Sequence, residues 1–154
     1  MTNLEVVRYR DRLDHLFKQA SFFEREPEML AHWARYLCVL CSGFLEVAVR
    51  AILAEYARGK ANPLVANYVE AQLSRFQNPA MGNILDLTGR FSPEWRGRLE
   101  QESAGEPADA VNSIVANRHP IAHGQNVGIS YHAIRRYYES AITVVELLDE
   151  LCQT

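Results

Sequence analysis

The chain has little of what marks the commonest enzyme classes. It contains no glycine-rich phosphate loop, no Gly-x-Ser-x-Gly elbow and no paired zinc-knuckle spacing. Their absence excludes the P-loop hydrolases, serine hydrolases and zinc ribbons built on them. A basic surplus is missing too, since 16 Lys and Arg against 19 Asp and Glu leave a net charge of −3. Proteins that coat nucleic acid with a broad footprint have isoelectric points above roughly 9, so any such contact here must be local. Three cysteines, Cys38, Cys41 and Cys152, make an odd number with no disulfide framework, which fits a reducing compartment. No segment reads as a secretory signal, and the expected location is cytoplasmic. The most apolar stretch, 37–53, is interrupted by Ser42, Glu46 and Arg50 and would make a poor membrane span of marginal length. It reads as a buried helix, and no membrane partner is expected. Strand candidates, internal repeats and low-complexity tracts are absent as well.

What is present reads as helix almost throughout. A length of 154 residues with 48% hydrophobic and 23% charged side chains suits one compact domain over 1–154. Over 3–24, Leu13, Leu16, Phe17 and Ala20 recur at the spacing of one helical face. Pro27 opens a long helix to about Arg58, carrying Leu37, Leu40, Phe44, Ala48 and Ile52 on its apolar side, with Gly59 expected as a left-handed cap. Asn62-Pro63 pairs an N-cap with proline at the first helical position and starts a helix to about Phe76. Asn78-Pro79 breaks the pattern, a short helix holds Ile84, Leu85 and Leu87, and Ser92-Pro93-Glu94 caps another. From Gly105-Glu106-Pro107 onward, Val111, Ile114, Val115 and Arg118 repeat at helical spacing, which would turn Arg118 toward the bundle. Pro120 removes a backbone donor, so a kink or stop is expected there, and Gly124 permits positive φ. A final helix runs from Ser130 to about Cys152. The fold class is all-α, a helical bundle without a sheet.

Two constellations carry chemistry. In Ala116-Asn117-Arg118-His119-Pro120-Ile121-Ala122-His123-Gly124, a permanent guanidinium and an imidazole are separated by four residues. Arginine grips phosphate oxygens with a planar fork, and histidine exchanges a proton near neutrality, its ordinary pKa being about 6.5. In the long helix, Ser42, Glu46 and Arg50 fall at intervals of four and share one face. Glu46 can pair locally with Arg50 or cross the bundle to hold Arg118, and the two readings are compatible. A helical module built on another plan would leave Glu46 and Arg118 apart. Cys38-Val39-Leu40-Cys41 has redox spacing but lies in an apolar helix with no strand before it, where core packing is expected. His119 and His123 at i, i+4 lack a zincin glutamate and flank a proline, so no metal or other cofactor is expected there.

The Arg-x4-His-Gly run resembles the signature of HEPN-domain ribonucleases, and Leu40-Cys41-Ser42-Gly43-Phe44-Leu45-Glu46 is similar to the Ser and Glu pattern on the second helix of the RiboL-PSP-HEPN branch. With Gly128-Ile129-Ser130-Tyr131 and Tyr137-Tyr138 the resemblance covers most of the chain. Position 119, often Asn or Asp in such proteins, is His119 here and is followed by Pro120. The resemblance implies a HEPN-like bundle with a long second helix and short extra helices. It implies a homodimeric, metal-independent endoribonuclease that cuts single-stranded or loop RNA and leaves 2′,3′-cyclic phosphate ends. His123 would transfer protons, Arg118 would stabilise the phosphorane and Glu46 would orient Arg118. A second His123, needed as partner acid or base, would come across a two-fold seam. Ser42, Asn117, His119 and Tyr131 would contact substrate, although His119 also reads as a capping or surface residue and the tyrosines as packing. Related small HEPN proteins act as toxins or phage-defence effectors restrained by an antitoxin or inhibitor protein. The alternative is a noncatalytic HEPN dimer that binds RNA or nucleotide or serves as a protein adaptor, a reading the acidic balance favours.

Overall fold

Proline and short polar caps cut the chain into helices, and the computed structural model, which describes residues 1–125 and 127–154, shows seven of them and no strand among those residues. Helix α1, Leu4–Ser21, is capped by Asn3, whose side chain accepts the Val6 N–H at 3.2 Å. It ends three residues earlier than its apolar pattern predicts, in a turn before Pro27. Helix α2, Pro27–Lys60, runs 34 residues. Gly59 is not its left-handed cap: the helix passes through Gly59, and Ala61 leaves it in extended geometry at φ −107° and ψ 160°. Asn62 and Pro63 start α3, Pro63–Leu73, at once, so no left-handed residue is needed to reverse the chain. Helix α3 stops three residues short of Phe76, which lies in a tightened turn with Ser74 and Arg75.

Two short helices follow, α4 over Met81–Phe91 and α5 over Pro93–Glu102, the second capped by the Ser92 side chain accepting the Trp95 N–H at 3.2 Å. Helix α6 spans Glu106–Ala122, entered through Gly105 at φ +88°. Helix α7, Tyr131–Gln153, is capped by Ser130, whose hydroxyl oxygen accepts the Ala133 N–H at 3.0 Å.

Helix α2 is the axis of the bundle, and α1, α3, α6 and α7 pack around it. Its apolar central window, with a mean hydropathy of 2.0, is hydrophobic enough by composition to cross a membrane. Here that window supplies the core, where Leu37, Phe44, Leu45 and Ile52 cluster with Ile114 of α6 and Ile134 and Leu148 of α7. Each such side chain contributes about 1.5–3 kcal/mol on full burial. Cys38 and Cys41 are buried in the same layer, and the Cys38 thiol points at the Ile114 carbonyl at 3.5 Å. Burial alone raises the Cys38 thiol to about 12, and burial followed by the neighbouring Cys38 raises Cys41 well above its usual range. They pack as small hydrophobes, which is the core role their helical setting predicts.

Candidate active site

The end of α6 is built by backbone chemistry that the motif residues supply themselves. Pro120 does not stop the helix, which continues to Ala122. Proline deprives the Ala116 carbonyl of its partner, but Ala116 is exposed and water can serve that oxygen, while only two helical residues remain beyond Pro120. Gly124, at φ +73°, then reverses the chain. Its N–H donates to the Ile121 carbonyl at 3.0 Å, and the Gln125 N–H donates to the Pro120 carbonyl at 2.9 Å. This pair of bonds is a Schellman closure, so the motif glycine is there because its backbone position is left-handed. His123 is held as the cap residue, its N–H on the His119 carbonyl at 3.2 Å and its ring 4.4 Å from the His119 ring in a tilted edge contact.

Beside this helix end lies an open cavity of about 420 Å³ between α2, α6 and the connector into α4. Ser42 and Glu46 form its α2 wall, Arg118 and His119 its α6 wall, and Asn78 to Ala80 its floor. Glu46 and Arg118 therefore share one cavity. Arg118 is exposed, however, and does not turn into the bundle as its helical register predicts: the last turn of α6 projects past the layer that buries Val111 and Ile114. His123 is exposed outside the cavity. At 3.6 residues per turn, five steps rotate Arg118 and His123 about 140° apart on an ideal helix, and His119 falls between them.

Glu46 takes the local partner. Its carboxylate lies 2.6 Å from the Arg50 guanidinium, and among the described residues no ion pair joins it to Arg118. Arg50 also donates through Nε to the Phe76 carbonyl at 2.9 Å, and its Nη2 reaches the same oxygen. One guanidinium thus neutralises Glu46 and ties the connector that carries Asn78 to the cavity. The other support is Asn112, whose side-chain oxygen accepts the Met81 N–H at 2.9 Å. Sequence reasoning misses Asn112; the signal is that Ala80, at the N-cap of α4, has no side chain able to serve the helix's free donors.

Two substrate-contact expectations fare differently from the rest. Tyr131 is 2% exposed, packs on Phe17 at 6.1 Å between centroids and donates its hydroxyl to the Phe17 carbonyl at 2.9 Å. It is a core residue and has no free face for a base. Tyr138 is buried likewise, stacked on Phe17 at 4.9 Å with its hydroxyl on Asp14 at 2.8 Å. The Asn117 amide turns back to the Ser113 carbonyl of its own helix at 2.7 Å, away from the cavity walls. Ser42 and His119 do line the cavity.

Residues 7–154 match the family model of RiboL-PSP-HEPN. No curated protein and no solved structure matches the chain. A match over nearly the whole sequence, on an all-helical fold that sets an Arg-x4-His-Gly helix end beside a polar patch on the long second helix, means that the chain belongs to the RiboL-PSP-HEPN family.

Proposed function

We propose that the protein is a metal-independent endoribonuclease that cuts single-stranded or loop RNA at a site shared by two copies of the chain. Membership of a HEPN family points to a nuclease or otherwise RNA-related role. The observation that carries the finer reading is the placement of Arg118 and His119 on one open cavity, with His123 exposed at the adjoining helix end. Glu46 is already neutralised by Arg50, so the cavity's remaining guanidinium is available to an anion. Because Arg118 and His123 diverge around α6, a second copy related by a two-fold axis supplies the convergence, and such an axis repeats both residues on the facing side.

In this reading the ribose 2′-hydroxyl gives its proton to one His123 imidazole, and its oxygen attacks the adjacent phosphorus. The His123 of the second copy gives a proton to the departing 5′-oxygen, and a 2′,3′-cyclic phosphate remains. Positioned acid–base groups of this kind contribute typically ~10²–10⁴ in rate. Arg118 meets the charge that builds on the nonbridging oxygens. Glu46 acts through the cavity wall it shares with Arg118, and His119 contacts substrate from inside the cavity.

Incubation of the pure protein with unstructured RNA in excess EDTA should give cyclic phosphate ends, and a folded His123→Ala variant should be inert. The biological role we infer is that of a toxin or phage-defence effector held in check by an antitoxin or inhibitor protein; growth arrest on expression, relieved by Arg118→Ala, tests it. A second reading, a noncatalytic HEPN dimer that binds RNA or nucleotide or acts as an adaptor, draws support from the net charge of −3. Intact RNA after the EDTA incubation would establish that reading over the first.

A further inference from the structure

A second and larger cavity, of about 900 Å³, opens as a groove between α3 and α4. Three kinds of side chain line it. Tyr68 presents a ring that is 67% exposed and stacks on no other ring among the described residues, and Phe76 and Phe91 add aromatic surface beside it. Arg75 and Arg90 are exposed cations, and among the described residues neither has an ion-pair partner. The one carboxylate in the lining, Asp86, is taken by Arg96 at 2.5 Å. The groove therefore carries local positive charge on a chain whose net charge is −3. Gln72 and Gln77 contribute side-chain amides that bond to no protein group among the described residues.

The groove adjoins the cavity that holds Arg118. Phe76 and Gln77 line the groove while Asn78, Pro79 and Ala80 line the cavity, and consecutive Cα atoms of a chain are only about 3.8 Å apart. The seam is fixed from both directions. From the groove, the Asn83 amide donates to the Asn78 carbonyl at 2.9 Å, and from α2 Arg50 donates to the Phe76 carbonyl at 2.9 Å. A strand that leaves the cavity at Asn78 meets the groove at Gln77.

We infer that the groove between α3 and α4 binds the unpaired nucleotides that flank the scissile linkage, with Tyr68 as a stacking platform and Arg75 and Arg90 as phosphate contacts. The inference rests on the ribonuclease reading for the choice of RNA as ligand. Every base has a π-face to lay on an exposed ring, and a guanidinium suits the phosphates between bases. The free amides favour a strand over a docked protein helix. An apolar helix face would cover Gln72 and Gln77 and leave them without partners, whereas the edges of unpaired bases carry both donors and acceptors. A net acidic chain needs its nucleic-acid contact to be local, and this groove is such a locality. It anchors the strand, and the end of α6 acts on the linkage that the anchoring presents.

The test is fluorescence anisotropy of the full chain with labelled 2′-O-methyl RNA, which resists cleavage because its attacking hydroxyl is blocked. A decanucleotide should bind more tightly than a trinucleotide. Tyr68→Ala and Arg90→Gln, both at exposed positions, should each weaken decanucleotide binding roughly tenfold, as loss of one stacked base does, and leave the trinucleotide unaffected. Arg90→Gln should also flatten the slope of log K against log salt by about 0.7, the value for one phosphate contact on a single strand. Decanucleotide affinity unchanged in both variants overturns the assignment and leaves the groove to a protein. The outcomes separate the two readings. Binding that depends on Tyr68 and Arg90, with no cleavage of ordinary RNA, retains the groove and removes the nuclease, while cleavage with unchanged binding in both variants does the reverse.

Discussion

Arg50 holds Glu46 at 2.6 Å one turn along α2 and, through Nε, the Phe76 carbonyl at 2.9 Å, so that a single side chain links the long helix to the connector under the cavity. Both members of the ion pair are about three-quarters buried. Replacing Arg50 by Ala leaves a carboxylate and a carbonyl with fewer partners and should cost about 1–2 kcal/mol in urea denaturation. Arg50→Lys should recover only part of this, since an ammonium lacks the fork that serves two acceptors. An Arg50→Ala chain as stable as wild type would mean that the link is ornamental.

Gly124 closes α6 at φ +73°, a conformation that a side chain disfavours. Gly124→Ala should therefore lower stability by about 1–2 kcal/mol, readable as a fall in Tm. Because the same turn fixes His123, RNA cleavage should fall further than stability does, measured at a temperature where the variant is fully folded. A variant with unchanged Tm would show that the Schellman turn is not maintained in solution.

Tyr131→Phe removes one buried hydrogen bond, to the Phe17 carbonyl, and leaves the ring in place. The expected cost is about 0.5–1.5 kcal/mol of stability, with cleavage rate and sequence preference as in wild type. A changed sequence preference would instead place Tyr131 against a base.

The three thiols should be slow. Burial raises Cys38 and Cys152 to about 12 and Cys41 well above its usual range, so little thiolate exists at pH 8. Ellman's reagent should reach Cys38 and Cys41 in the native protein only at the rate of unfolding, should react slowly with the partly buried Cys152, and should titrate three thiols at once in denaturant. Rapid native reaction at Cys38 or Cys41 would contradict the packing described for α2.

Helix starts are legible in the sequence because each depends on a local signal. Pro27, Asn62 with Pro63, Ser92 with Pro93 and Ser130 all stand where their caps predict. Helix ends are less so. Gly59 sits inside α2 because the next cap follows immediately, and Pro120 is tolerated because the carbonyl it deprives, that of Ala116, lies at the surface. In the site, the intervals of four that group Ser42 with Glu46, and the motif arginine Arg118, name three residues of the cavity's lining, while His123, the other half of the motif's spacing, lies outside it. What the spacing hides is tertiary: Arg50 reaches Phe76 across 26 positions, and Asn112 caps α4 across 31. Tyr131 misleads for the same reason, since an aromatic one residue after a cap can face solvent or core, and only the partner helix α1 decides.

The central claim is that one scissile phosphate is served by His123 from two copies of the chain, and subunit mixing tests it most directly. Wild-type protein co-refolded with nine equivalents of His123→Ala leaves about one wild-type chain in ten paired with its own kind if the site is shared. Cleavage per wild-type chain should then drop to about a tenth of its unmixed value. Undiminished cleavage per wild-type chain would show that each chain works alone, and the shared-site account would be wrong.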